Sequence, residues 1–180
     1  MNDHQQALQV LLNLPLRHIG RAADLLWLQF GEWREVPSRK GGTRRVGEWA
    51  LHIQTPWNFV RDSRIIVGTR DLYYYSEASS EFAEQGREFD WQKDGVSRFD
   101  RHAATLNQEF EFTPPPVTRI LCDSVGTFTL WLGEDLTFSV FPNCASTSPN
   151  FEFWRLFQPA KETPHYVVAT DDGASENLNP

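Results

Sequence analysis

Asp24, His52, Asp71, Cys122, Asp123 and His165 are side chains that can exchange protons or attack as nucleophiles, and a fold that gathered them would hold an acid-base cluster. Their spacing does not assemble one. There is no nucleophile elbow, paired-histidine zinc helix, Rossmann fingerprint or EF-hand loop. Gly42-Thr43-Arg44-Arg45-Val46-Gly47 has the glycine spacing of a P-loop, but Glu48-Trp49 stands where a lysine and a hydroxyl must meet phosphate and magnesium. No catalytic residue, metal ligand or cofactor is assigned on this basis. His52 alternates with strand-core positions and Cys122 with Ile120, so a hydrogen-bonded strand histidine and a small buried hydrophobe are their ordinary readings. Asp24 and Asp123 read as turn or strand-end residues.

Binding chemistry is better represented. Arg34, Arg39, Lys40, Arg44 and Arg45 gather around Gly41 and Gly42, in a chain with 17 Lys and Arg against 24 Asp and Glu and a net charge of -7. Such a tip suits an anion or an acidic partner protein; the ordinary alternative is a solvated tip whose charges block edge pairing. The acidic balance and the lack of aromatics interleaved in the tip disfavour nucleic acid. Trp33, Trp49, Trp57, Tyr73, Tyr74, Tyr75 and Trp91 crowd the first half, where they fill a core or anchor an interface. A second candidate surface joins His52, Gln54, Trp57 and Asp71 as the lining of a pocket. Arg155, beside Trp154, suits an acidic group or an aromatic face.

These residues need elements to carry them. Asn2 or Asp3 can cap a first helix with Ala7, Leu8, Leu11 and Leu12 on one face, stopped by Pro15. Leu26, Leu28 and Phe30 alternate with Leu25, Trp27 and Gln29 as a strand that Gly31 ends. Trp49, Leu51 and Ile53 alternate on the return, so Glu32 to Gly47 reads as a long hairpin tip. Ile65 to Val67 and Leu72 to Tyr75 add strand-forming residues. Ser97 with Asp100 resembles a capping box ahead of Phe99, Ala103, Leu106 and Phe110 at helical spacing, ended by Pro114. Further strands are expected at Val117 to Cys122, Thr127 to Leu132, Leu136 to Phe141, Phe153 to Phe157 and Tyr166 to Ala169. Leu26-Trp27-Leu28 and Leu130-Trp131-Leu132 echo each other, each in a hairpin that ends at a proline.

Gly20-Arg21-Ala22-Ala23-Asp24-Leu25-Leu26-Trp27, Phe30-Gly31, Ala50-Leu51-His52-Ile53-Gln54 and Pro56-Trp57 resemble an uncharacterised family of small bacterial proteins. Asp71-Leu72, Phe141-Pro142, Trp154-Arg155-Leu156-Phe157 and His165-Tyr166-Val167-Val168 extend the resemblance. The family pattern has Cys-Pro-Trp-Arg where this chain has Thr55-Pro56-Trp57-Asn58, so no thiol or guanidinium role carries over to Thr55 or Asn58. The resemblance implies a bacterial, cytoplasmic protein and brings no activity with it.

The expected fold is α+β: a strongly bent antiparallel sheet or a two-layer β-sandwich from two similar hairpin units, with a few helices covering an open face or edge. One domain spans 1–170, with a frayed acidic tail at 171–180. Two cysteines fit a reducing compartment. Met1 to Leu14 lacks the marks of a secretory signal, and no apolar run approaches the roughly 20 residues that cross a bilayer, so the expected address is cytoplasmic and no membrane partner is expected. The expected function is a non-enzymatic protein-binding factor, immunity- or inhibitor-like or defence-associated. The alternative is a small-molecule-binding or hydrolytic domain with its pocket between the two β units. Oligomeric state stays open.

Overall fold

The computed structural model describes residues 2–38, 41–76, 90, 93–145 and 151–169. Its strands are β1 (Leu16–Ala22), β2 (Leu25–Pro37), β3 (Thr43–Ile53), β4 (Trp57–Arg61), β5 (Arg64–Gly68), β6 (Val117–Cys122), β7 (Phe128–Leu132), β8 (Leu136–Val140), β9 (Glu152–Phe157) and β10 (Tyr166–Ala169). Helix α1 (Asp3–Leu8) runs into a 3-10 turn at Gln9–Leu11, a second 3-10 turn covers Thr69–Tyr73, and α2 spans Arg98–Phe112.

The strands form two antiparallel sheets, ordered β1-β2-β3-β9-β10 and β5-β4-β8-β7-β6. The architecture is α+β, and the sheets do not close into a barrel. Alternation builds the core: Leu26, Leu28, Phe30, Leu51 and Ile53 face Phe59, Val67, Leu130, Leu132, Phe138 and Val140, all but excluded from solvent. Side chains therefore fill the space between the two sheets.

The echo in sequence is a repeat in topology. β1-β2-β3 forms a meander in the first sheet, and β4-β5 then crosses to pair with β8 of the second. β6-β7-β8 forms the matching meander in the second sheet, and β9-β10 crosses back to pair with β3. Each unit opens with a helix, and each helix covers the edge strand of the other unit. The Asn107 carboxamide of α2 accepts from the Ile19 amide and donates to the Ile19 carbonyl, both at 2.8 Å. From α1, the Gln5 side chain accepts from the Cys122 amide at 2.6 Å and donates to the Ile120 carbonyl at 3.1 Å. These side chains stand in for a neighbouring strand, satisfying backbone groups that would otherwise invite edge pairing.

Both helices start where side-chain caps place them. Asn2 accepts from the Gln5 amide at 2.7 Å, and Ser97 and Asp100 form a reciprocal capping box. Phe99, Ala103, Leu106 and Phe110 are the buried face of α2. Arg21 fastens α2 to β1 by donating to both Asp100 oxygens, at 2.7 and 2.9 Å, and to the Lys93 carbonyl at 2.9 Å.

Two expectations need correction. Gly31 does not end β2: at φ +78° it forms a bulge between Phe30 and Trp33, and the strand runs on to Pro37. The segment read as a long tip is mostly paired strand, which places Arg34, Arg44 and Arg45 on the hairpin arms. Leu72 to Tyr75 is not a strand either, because Asp71 caps a 3-10 turn by accepting from the Gly68 amide at 2.8 Å.

Candidate functional site

The outer face of the first sheet collects most of the polar candidates. Cross-strand register sets Gly20, Trp27, His52, Arg155 and Val167 in one row across all five strands. A Cβ on Gly20 would collide with the Trp27 ring, so glycine lets that ring lie down on β1. There Trp27 stacks on His18, with centroids 5.2 Å apart and planes 16° from parallel.

Beyond the bulge, Trp33 emerges on the hairpin, and the Arg45 guanidinium lies 4.7 Å from its ring centre. Arg44 and Arg45 are exposed, and among the described residues neither has a carboxylate partner. Arg17, by contrast, donates to Glu32 at 3.3 Å and to the Gly31 carbonyl at 3.0 Å. A groove of about 490 Å³ lies over His18, Trp27, Gln29 and His52 and reaches Arg44 and Arg45. It adjoins a second hollow of about 630 Å³ that passes between the hairpin and Ala104, Asn107, Gln108 and Glu111 of α2. His18, Trp33 and Arg45 line both.

The far half of the row is a fixed polar network. Arg155 donates to both oxygens of buried Glu152, at 2.7 and 2.6 Å, and Gln54 donates to Glu152 at 2.7 Å. Arg155 also lies 3.4 Å from Nδ1 of His165, which stacks on Phe157, while His52 meets Phe157 edge-on. Burial, and then the Arg155 charge, pull the His52 pKa down to about 4, against a smaller opposing effect of Glu152. His165 is lowered by the same two causes, and His18 by burial alone. All three imidazoles are neutral at pH 7 and can both donate and accept hydrogen bonds.

Arg44, Arg45 and His52 border one groove, Arg155 stands next to His52 in the row across the sheet, and Gln54 lies at its margin. Arg39 and Lys40 lie outside the described residues. Trp57 is 3% exposed, packed against Phe59, Phe99 and Phe138 in the core, and Asp71 is occupied in its turn on the other sheet. His52, Gln54, Trp57 and Asp71 therefore do not line a common pocket. The proton-transfer candidates are dispersed as well. Cys122 sits on β6, its thiol pushed up to about 12 by burial and by the Asp123 charge, while Asp123 accepts from the Val125 and Thr127 amides in a turn. Asp24 lies exposed in the turn between β1 and β2.

Sequence reasoning did not select His18 or Trp27 as site residues, and it offered Trp33 only among the aromatics that fill a core or anchor an interface. The repeat supplies the signal that separates them from strand chemistry. In the second sheet Trp131 occupies the place of Trp27, but Arg119 stands opposite it instead of Gly20, and Thr137 instead of His52. Arg119 covers the Trp131 ring at 4.6 Å, and Thr129 and Ser139 hydrogen-bond to each other nearby at 2.9 Å. One framework carries a hydroxyl-bearing face on one side and a histidine, tryptophan and arginine face on the other. No family model matches the chain, and comparisons with curated proteins and with solved structures find no match either.

Proposed function

We propose that the chain is a non-enzymatic protein-binding factor that engages an acidic surface of its partner through the outer face of the β1-β2-β3-β9-β10 sheet. The observation that carries this reading is the placement of Arg44 and Arg45, exposed and without carboxylate partners among the described residues, beside Trp27 and Trp33 on one side of a framework of two like units. Tryptophan and arginine are the side chains that most often anchor interfaces. In a chain of net charge -7 a local cation pair also selects where an acidic partner can approach.

The polar network favours binding over turnover. A histidine with a pKa of about 4 beside an arginine is a weak base at neutral pH, and Glu152 is held in three hydrogen bonds. Where the partner is an enzyme, the role is that of an inhibitor or immunity factor. The cytoplasmic, bacterial setting implied by the resemblance belongs to this same proposal.

The test compares capture from an extract by the wild-type chain, by Arg44→Glu/Arg45→Glu and by Arg119→Glu, which reverses a matched tryptophan-stacked arginine on the opposite face. One stoichiometric protein kept by wild type and Arg119→Glu but lost by the double variant supports the reading. Equal loss in both variants, or retention in both, overturns it.

A further inference from the structure

We infer that the occupant of this face is an extended acidic segment of the partner, lying in the groove with its carboxylates on Arg44 and Arg45 and an aromatic side chain against Trp33. The inference rests on the protein-binding reading above and specifies the form of the ligand. Shape is the first argument. The two adjoining hollows are open and share a wall of His18, Trp33 and Arg45, so the site is long and shallow. A compact small molecule would leave much of itself in water there, whereas an extended chain advances about 3.3 Å per residue and can follow the trough, with alternate side chains meeting its floor.

Charge gives the segment a direction. At the hairpin end Arg44 and Arg45 offer guanidinium forks that no carboxylate of the described chain uses, and such forks bind carboxylates in a bidentate manner. At the helix end the trough is walled by Arg17, whose charge is engaged by Glu32, and by Asn107, Gln108 and Glu111, and Asn107 is already committed to β1. Glu111 repels an acidic residue at that end. The acidic part of the segment therefore lies over the hairpin, and its neutral or basic part lies beside α2. Trp33, between the two ends and already under a cation, is placed to receive a ring.

The full chain would be used to select peptides from a random display library. Enriched sequences, their charge-scrambled versions and an oligothymidine strand would then be titrated as fluorescent probes. The expected selection carries at least two carboxylates and an aromatic residue. Its binding should fall at least about tenfold in Arg45→Glu, tighten in Glu111→Lys and hold in Arg119→Glu. Peptides without carboxylates, affinity indifferent to Arg45→Glu, or tighter binding of oligothymidine than of any peptide would overturn the inference. Peptide binding that is absent while a captured protein is still lost in Arg44→Glu/Arg45→Glu overturns the extended segment and leaves the protein-binding reading standing. Failure of the capture test removes the broader reading itself.

Discussion

Replacing Arg21 by methionine should cost about 3 kcal/mol of stability at pH 7. The side chains of Arg21 and Asp100 are 2% and 13% exposed, and they form a two-pronged ion pair between β1 and α2. Methionine keeps much of the aliphatic stem but leaves the Asp100 carboxylate in a poorly solvated place, and it also frees the Lys93 carbonyl that Arg21 holds. Breaking a buried pair from one side costs about 3–5 kcal/mol. The lower end applies here because Ser97 still donates to Asp100 from its amide and its hydroxyl, at 3.0 and 2.9 Å. For a chain of this size about 3 kcal/mol is a fall in Tm of roughly 6–12 °C.

The pH dependence separates this account from a simple packing loss. Burial works to raise the Asp100 pKa, but hydrogen bonds from Arg21 and Ser97, together with the Arg21 charge, outweigh it and hold the carboxyl below its ordinary value. A carboxyl depressed in the folded state adds stability above its unfolded pKa of about 4, and that stability is lost as pH falls through the folded value. Urea denaturation of wild type and Arg21→Met should therefore show a gap that is widest near neutrality and narrows in acid. A gap under about 1 kcal/mol, or one that stays constant from pH 7 to pH 3, would refute the assignment of Arg21 and Asp100 as the clasp between α2 and β1.

Other consequences follow from the same geometry. Asn107→Leu strands the amide and carbonyl of Ile19, so it should lose about 2 kcal/mol in urea denaturation and raise amide exchange at Ile19. His52, lowered by burial and Arg155 to about 4, contributes stability that is complete above its unfolded pKa near 6.5 and disappears as pH falls toward 4; the shift corresponds to about 3 kcal/mol at most. Nuclear magnetic resonance titration of the ring should report that pKa, and His52→Gln should flatten this part of the stability profile. Native protein at pH 8 should take up iodoacetamide at exposed Cys144 and spare Cys122, whose thiol is pushed up to about 12; urea should release the second site.

Where one physical signal dominated, the sequence was readable. Ser97 and Asp100 marked the start of α2, and the spacing of Phe99, Ala103, Leu106 and Phe110 marked its buried face. The alternations in β7 and β8 located those strands because only one side of each is packed. β1 escaped because a bulge between Leu16 and His18 breaks its alternation and Arg17, Gly20, Arg21 and Ala22 are weak strand formers, whereas β6, with the same break between Val117 and Arg119, keeps Val117, Thr118 and Ile120. The site was half-legible for a related reason. Charge and residue type pick out Arg44, Arg45 and His52, but nothing local shows that His18 and Trp27 join them, since they meet through pairing of a strand that periodicity conceals. Trp57 misled in the opposite sense: its indole suits a binding surface in composition, yet its register on β4 turns it into the core.

The exchange of hairpins between the two units shapes the sheet face that carries the candidate site. Because β9-β10 comes from the second unit, the row Trp27, His52 and Arg155 combines residues from both halves of the chain. On the second sheet the equivalent row also crosses from one unit to the other, through Trp131, Thr137 and Val60. Two sheets of like order and opposite parentage can thus diverge on their outer faces while their inner faces stay constrained by one shared core. The Gly20 and Arg119 pair shows the consequence. Arginine at the second position shields its tryptophan with a side chain from the same sheet, whereas glycine at the first leaves that place to the ring itself, which settles against His18 on the floor of the groove. The asymmetry is local to the outer faces, where substitutions do not disturb the core, so a framework of two like sheets carries different chemistry on its two sides.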